Sequence, residues 1–251
     1  MTRIGLDGSI HAVSGATVSF PIPASVANFR REFRKKLARE VYYGQIHVLW
    51  MLAWLVGSIV YSFAALHAAR LSEWAIFAGA LIFSSFVEYW FHRGPLHKPY
   101  RGVKKFYRVH TLEHHHYFTD EAMPFNDFKD FKMVLFPAYA HALVVIAMQL
   151  LARYVFEPFF SAHAGHLFAA GACFYFLAYE LIHLIAHLRT DHPIFKIPPF
   201  GFLRDHHKTH HRLNAMSKVN FNIALPLFDW IFRTRGVRAR FVRSRRTDSP
   251  T

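Results

Sequence analysis

Four long apolar runs constrain this sequence more than any other feature. They cover approximately residues 45–66, 74–91, 133–154 and 165–188. Each is close to the roughly 20 residues that a helix needs to cross about 30 Å of hydrocarbon. An open segment in lipid can satisfy its own backbone hydrogen bonds only as a helix. The sequence therefore predicts an all-α integral membrane protein with a four-helix transmembrane bundle.

Basic residues are distributed unevenly among the segments that separate these runs. Six Lys and Arg lie between Arg30 and Arg39, eight between Arg93 and Lys132, and thirteen from Arg189 onward, whereas the two remaining loops hold one each. Because cytoplasmic loops carry the excess of Lys and Arg, both termini and the central loop are predicted to be cytoplasmic. The net charge of +14 reflects this topology, or else attracts anionic headgroups or an acidic redox partner. Four spans exclude a soluble nucleic-acid-binding protein.

Ten of the 19 histidines fall into four spaced motifs, all on the predicted cytoplasmic side. Residues at i and i+4 share one helix face, so the histidines of an H-x3-H motif can reach a common ion. A Gly-Pro pair interrupts the H-x4-H motif, whose histidines are expected to converge across a turn. In chain order the motifs are H-x4-H, H-x3-HH, H-x3-H and H-x2-HH, formed by His92 and His97; His110, His114 and His115; His183 and His187; and His207, His210 and His211.

The number of convergent imidazoles indicates the kind of site. Neutral imidazole suits Fe, Zn, Cu and Ni. Ten such ligands exceed the need of one ion, since structural zinc takes four. A basic interfacial loop that happens to be rich in histidine is the alternative. Four spaced motifs at helix ends on one side favour a centre for two metal ions.

This pattern resembles the fatty acid hydroxylase/sterol desaturase superfamily of membrane enzymes. The resemblance covers roughly Glu88 to Thr234 and rests on the four histidine motifs and on residues 220–234, NFNIALPLFDWIFRT. That segment is similar to a family pattern of Asn-aromatic-Gly, then Asp, then Phe-Gly-Thr. Asn222 and Arg233 stand where the pattern has glycine, which leaves the metal ligands intact and the substrate open.

The resemblance implies a cytosolic histidine-rich cap, two metal ions, O2 and an external electron source. We expect all ten histidines to be ligands, and iron to be the metal with zinc as a possible substitute. The expected reaction is hydroxylation of a C–H bond of a lipid or acyl chain, with desaturation at the same site as the alternative. The expected parts are a cytosolic N-terminal segment (1–44), a membrane catalytic domain (45–234) and a basic cytosolic tail (235–251). A separate ferredoxin or cytochrome b5-type donor is expected, because the chain has neither a dinucleotide fingerprint nor a haem motif.

Other polar residues near the motifs have expected roles of their own. Candidates for groups that accept a ring N–H and orient a ligand are Glu88, Glu180, Asn220 and Asp229, with solvation of a helix end as the alternative. His141 lies inside the third run and is expected to bond to a neighbouring helix. A membrane metal transporter or sensor, the rival class, needs ligands near the midplane, where only His141 qualifies. Whether His116 or His206 replaces a motif histidine stays open.

Overall fold

The structure, a computed structural model, describes residues 22–236, and within that range it contains helices and no β-strand. The α-helices in chain order are α1 (Ala24–Ala38), α2 (Gly44–Ala64), α3 (Trp74–Phe91), α4 (Lys104–Tyr107), α5 (His115–Tyr117), α6 (Phe131–Val134), α7 (Ala138–Leu151), α8 (Glu157–Phe159), α9 (Ala162–Ala186), α10 (Pro198–His210) and α11 (Leu227–Ile231). Wider π-helical turns cover His92–Leu96, Arg108–His114 and Ala152–Phe156, and 3-10 turns cover Leu71–Glu73, Phe128–Asp130 and Pro193–Lys196.

Four helical stretches in the described range are long and apolar enough to cross a membrane. They are Gly44–Ala64, Leu71–Leu96, Ala138–Phe159 and Ala162–Ala186. The predicted all-α class and the four spans are confirmed. The third span begins at Ala138 and not near residue 133, because Pro137 lacks an N–H and disfavours helical backbone just before it. The turn before this proline is the separate short helix α6.

The bundle is built around α9. Of the apolar window of α9, 56% is buried, against 11–28% for the other three spans. Small residues make this possible, since membrane helices approach closely where side chains are short. A Cβ added at Gly171 would lie 2.9 Å from both the Cβ of Ala80 and the carbonyl oxygen of Phe77 in α3. The outer faces remain apolar, with Val60 and Leu143 both 59% exposed, as expected of an integral membrane protein.

A histidine-rich cap covers the end of the bundle at which α3 and α9 finish. The cap comprises the segment from His92 to Val134, α10 and the stretch from His211 to Gly236. Helix α1, which falls within the expected N-terminal segment 1–44, packs against α5 of this cap. Most of the expected basic tail, residues 237–251, lies outside the described residues.

Candidate metal centre

The fold gathers the ten motif histidines into two groups of five, and all ten side chains are buried. Within each group, one ring nitrogen from every histidine lies within 4.8 Å of the others. Neither His116 nor His206 belongs to a group. The first histidine group is His92, His97, His110, His115 and His210, and the second histidine group is His114, His183, His187, His207 and His211.

Two π-helical turns place histidines that are five residues apart. Helix α3 ends at Phe91 and is followed by the π-turn His92–Leu96, with Pro95 inside it, so a turn that is still helical lies between His92 and His97. A π-turn pairs residue i with i+5, which brings residues at that spacing to one face. The rings of His92 and His97 accordingly stack, with centroids 5.1 Å apart. The π-turn Arg108–His114 brings two further histidines into the first group in the same way.

Adjacent histidines within a motif go to different groups. His114 belongs to the second group and His115 to the first, and His210 and His211 are divided in the same manner. Successive residues on a helix point about 100° apart, so neighbours in sequence face different directions. His183, by contrast, shares its group with the residue four positions later, as the H-x3-H spacing predicts.

Backbone carbonyls hold the outer nitrogen of five rings. Because a carbonyl can only accept, each of these Nδ1 atoms carries the proton and leaves Nε2 with its lone pair directed into the group. The Nδ1–O distances are 2.5–2.9 Å, and the pairs are His92 with Phe221, His114 with Met133, His187 with Met123, His210 with Val219 and His211 with Phe118.

The inner nitrogens face one another as the ligands of a shared cation do. His114 and His211 both donate through Nδ1, yet their Nε2 atoms are 3.2 Å apart. Two facing lone pairs repel unless a positive charge lies between them. Two nitrogens bound at about 2.0–2.1 Å to one tetrahedral zinc ion are themselves about 3.3–3.4 Å apart. The second group therefore fits a bound metal ion.

The first group meets the same test. The Nε2 atoms of His97 and His210 lie 3.1 Å apart. His97 donates through Nδ1 to the hydroxyl of Thr111, which itself donates to the carbonyl of Leu96. Both facing nitrogens thus carry lone pairs here too. An all-nitrogen donor set of this kind accepts several first-row metals and does not select one of them.

Burial keeps the rings in the form that binds metal. It lowers the pKa of His114 and of His210 to about 4, and that of His97 to about 2. A buried imidazolium loses its hydration, so the neutral ring is favoured. Metal ligands must be deprotonated, and these side chains are neutral at physiological pH without further cost.

The two glutamates proposed as ring acceptors have other partners. Glu88 accepts from the hydroxyl of Tyr175 and from Nδ2 of Asn222. Glu180 accepts from Nε2 of His141 at 2.7 Å, so His141 does bond to a neighbouring helix. Neither carboxylate accepts from a histidine of the two groups, and the five carbonyls take the orienting role instead. Sequence carries no signal for these acceptors, because every residue has a carbonyl.

The other two proposed groups each bond to the backbone beside a histidine of the two groups or beside its acceptor. Asp229 accepts from the backbone N–H of Phe221 at 2.9 Å, and the carbonyl of Phe221 receives the proton of His92. Asp229 also bonds to His206, 3.2 Å away. Asn220, at a φ of 59°, donates to the carbonyl of His206. His206 thus belongs to this supporting network.

An apolar cavity of about 60 Å³ borders both groups. Three of the ten histidines line it: His110 of the first group, and His114 and His183 of the second. Two larger open depressions on the described surface border none of the ten. The remaining walls of the cavity are mainly apolar and come from Leu96, Phe106, Val109, Met133, Val134, Leu135, Phe136, Pro137, Tyr139 and Tyr179, with Lys105 and Lys132.

Comparison with known proteins gives two matches. The family model for fatty acid hydroxylase matches residues 77–234, which include all ten histidines. Among solved structures, one described as full-length Scs7p with only the hydroxylase domain visible has a TM-score of 0.55 and 17% identity, covering 79% of this chain and 69% of that one. At that identity the likeness concerns the fold alone. No curated protein sequence matches this chain.

Proposed function

This chain belongs to the fatty acid hydroxylase family, and on that premise we propose that it is a membrane-bound, two-metal oxygenase. It hydroxylates a C–H bond of a lipid or acyl chain, using O2 and electrons from a partner. One observation carries the proposal. Two groups of five buried histidines, with inner lone pairs facing each other, share one apolar cavity at the end of a membrane bundle.

The two histidine groups hold one ion each in this proposal, with iron as the metal and zinc as a possible substitute. When bound, the reduced ions supply the activation of O2, which amino-acid side chains alone cannot provide. The carbonyls behind the rings keep the Nδ1 protons outward and prevent the rings from turning. Among them, the residue that supplies the carbonyl for His114, Met133, also lines the cavity.

The cavity serves as the place where the reacting part of the lipid lies. Its volume of about 60 Å³ corresponds to about four or five water-sized groups, so it encloses a short stretch of chain only. Leu135 and Phe136, just before α7, and Tyr179 of α9 keep this stretch dry. At the rim, the ammonium of Lys105 lies 5.3 Å from the ring centroid of the half-exposed Tyr139. Tyrosine and lysine of this kind mark the level of the lipid headgroups.

The proposed orientation places the cap and both termini in the cytoplasm, where a ferredoxin or cytochrome b5-type donor can reach the basic surface. Reporter fusions after Arg39, after Arg108 and at Thr251 should report cytoplasm. Fusions at Leu71 and Phe160 should report the other side. An external signal after Arg108 would refute this orientation.

Isotope labelling tests the reaction. The purified protein, reconstituted in lipid vesicles with iron, a reductase and ferredoxin, receives 18O-labelled O2, and the lipids are analysed by mass spectrometry. We expect one labelled oxygen atom per product molecule. A new double bond without label would make the enzyme a desaturase on the same metal centre. Product oxygen that derives only from water would refute the oxygenase.

A further inference from the structure

A loop from Tyr117 to Asp130 supplies carbonyls that orient the second histidine group. The carbonyl of Phe118 accepts from Nδ1 of His211 at 2.6 Å, and that of Met123 accepts from Nδ1 of His187 at 2.8 Å. The ring of Phe118 also packs on His187, with centroids 4.2 Å apart. The position of this loop therefore decides where two of the five donors lie.

One buried side chain from α1 holds this loop. The guanidinium of Arg30, 3% exposed, donates through Nε to the carbonyl of Tyr117 at 2.7 Å and through Nη1 to that of Pro124 at 3.0 Å. Its Nη2 donates to the carbonyl of Ala122. These three peptides are direct neighbours of the two that orient the histidines. The guanidinium also lies over the rings of Tyr117 and Phe118, 5.0 and 5.1 Å from their centroids.

A second contact from α1 holds the far end of the loop. Arg34 donates through Nε and Nη2 to the two carboxylate oxygens of Asp130, at 3.0 and 2.7 Å. Asp130 also accepts from the hydroxyl of Tyr117 and from the backbone N–H of Asn126. Burial is the largest single influence on Asp130 and would raise its pKa, but the hydrogen bond and charge of Arg34, together with the hydrogen bonds from Tyr117 and Asn126, outweigh it and the pKa is lowered. The loop is thus fixed to α1 at both ends.

We infer that Arg30 is a positioning residue for the metal ion of the second histidine group. It donates to none of the ten histidines and does not line the cavity, and it acts by fixing the peptides beside the carbonyls that orient His187 and His211. The inference rests on the proposed two-metal centre. It assigns a role to α1, which lies outside the 77–234 stretch that the family model matches.

The geometry of arginine matters more than its charge here. Three different nitrogens of the guanidinium reach three separate carbonyls, which the single ammonium of lysine cannot do. Methionine would fill similar space but leave three carbonyls without their donor. Outer partners of metal ligands change metal affinity by about 10- to 100-fold. Because Arg30 acts one peptide further out, we expect the low end of that range.

Chelator-driven release of metal from the purified, fully loaded protein tests this role without measuring turnover. Arg30→Met should release one of the two ions about tenfold faster and leave the other unchanged. Arg30→Lys should resemble Arg30→Met. Arg31→Met is the matched control, because the side chain of Arg31 is 64% exposed on the same helix and should not alter release.

The fast ion is assigned by removing one group at a time. In a His210→Ala background only the second group is intact, and Arg30→Met should accelerate release of the remaining ion. In a His211→Ala background, in which the first group is intact, the same change should have no effect. The inference is overturned if Arg30→Met accelerates the release of both ions, of neither ion, or of the first-group ion alone.

The wild-type protein provides a test that does not depend on the folding of any variant. Coupling between two sites is reciprocal, so metal binding should stabilise the docking of α1. Amide exchange in Ala24–Ala38 should slow on metal loading, while exchange in α8 at the far end of the bundle stays constant. Unchanged exchange in α1 overturns the inference. Wild-type protein that binds no metal would instead overturn the proposed function, and this inference with it.

Discussion

The division of adjacent histidines between two groups leads to a test by paired substitutions. His210 and His211 are neighbours in sequence but belong to different groups, whereas His114 and His211 are 97 positions apart and share one group. His210→Ala plus His211→Ala should therefore abolish binding of both ions. His114→Ala plus His211→Ala should abolish binding of one ion only, as each single substitution does.

The structure also indicates how large the effect should be. His211 is fully buried, and its Nε2 lies 2.9 Å from that of His207 and 3.2 Å from that of His114. Losing an outer partner already costs up to about 100-fold in metal affinity, so losing one of five direct donors should cost more than that. A hundredfold corresponds to about 2.7 kcal/mol. The carbonyl of Phe118 would also lose its donor, which should lower the free energy of unfolding by about 1–3 kcal/mol.

Metal-to-protein ratios measured after gel filtration in a weak chelator provide the readout. His163→Ala is the control, because His163 lies at the start of α9 beside Glu73, 3.5 Å away, and belongs to neither group. The reasoning is refuted if the variant with His210→Ala and His211→Ala still binds an ion. It is also refuted if the variant with His114→Ala and His211→Ala binds none. A single substitution that empties both sites would refute it as well.

Three further substitutions test the bundle, a helix end and the cavity. Gly171→Leu should lower the free energy of unfolding by about 1–3 kcal/mol, because an added Cβ lies 2.9 Å from α3. Gly79→Leu is the control for the same thermal melt, since a Cβ there meets nothing within 4 Å and should leave stability unchanged. Arg233→Gly should raise the free energy of unfolding by about 1 kcal/mol, and with it the melting temperature, since the φ of 56° at this residue disfavours any side chain. Leu135→Trp should fill the cavity and reduce turnover without loss of metal, while Leu143→Trp, on the outer face, should leave both unchanged. Loss of metal in Leu135→Trp would contradict the assignment of the cavity to substrate.

The bundle was predictable because the bilayer imposes its length and its hydrogen bonding on every span. Runs of about 20 apolar residues leave no other solution than helices, and the four spans follow. The predicted start of the third span, near residue 133, is too early because hydrophobicity continues through residues 133–136, whereas Pro137 separates the short helix α6 from α7. Which helix occupies the centre also needed the structure, since all four runs are similarly apolar.

The histidine motifs could be predicted from sequence because side chains able to bind metal are distinctive and stand at distinctive spacings. Their division into two groups was not, because it depends on the local backbone. The π-turn after Phe91 changes the pairing from i+4 to i+5, and sequence spacing alone does not reveal a π-turn. The sequence also pointed to Glu88 and Glu180 as orienting groups, and the structure gives both of them other partners.

Sequence alone determined which residues make up the candidate centre: ten imidazoles, at helix ends, on one side of four spans. Tertiary structure decided which imidazoles face each other and what holds them. The orienting acceptors are backbone carbonyls, such as that of Phe118. Its position is set by the hydrogen bond from Arg30 of α1 to the carbonyl of Tyr117, 87 residues away. A carbonyl is present in every residue, so only its placement distinguishes it. That placement arises from contacts between distant segments, which periodicity and spacing do not encode.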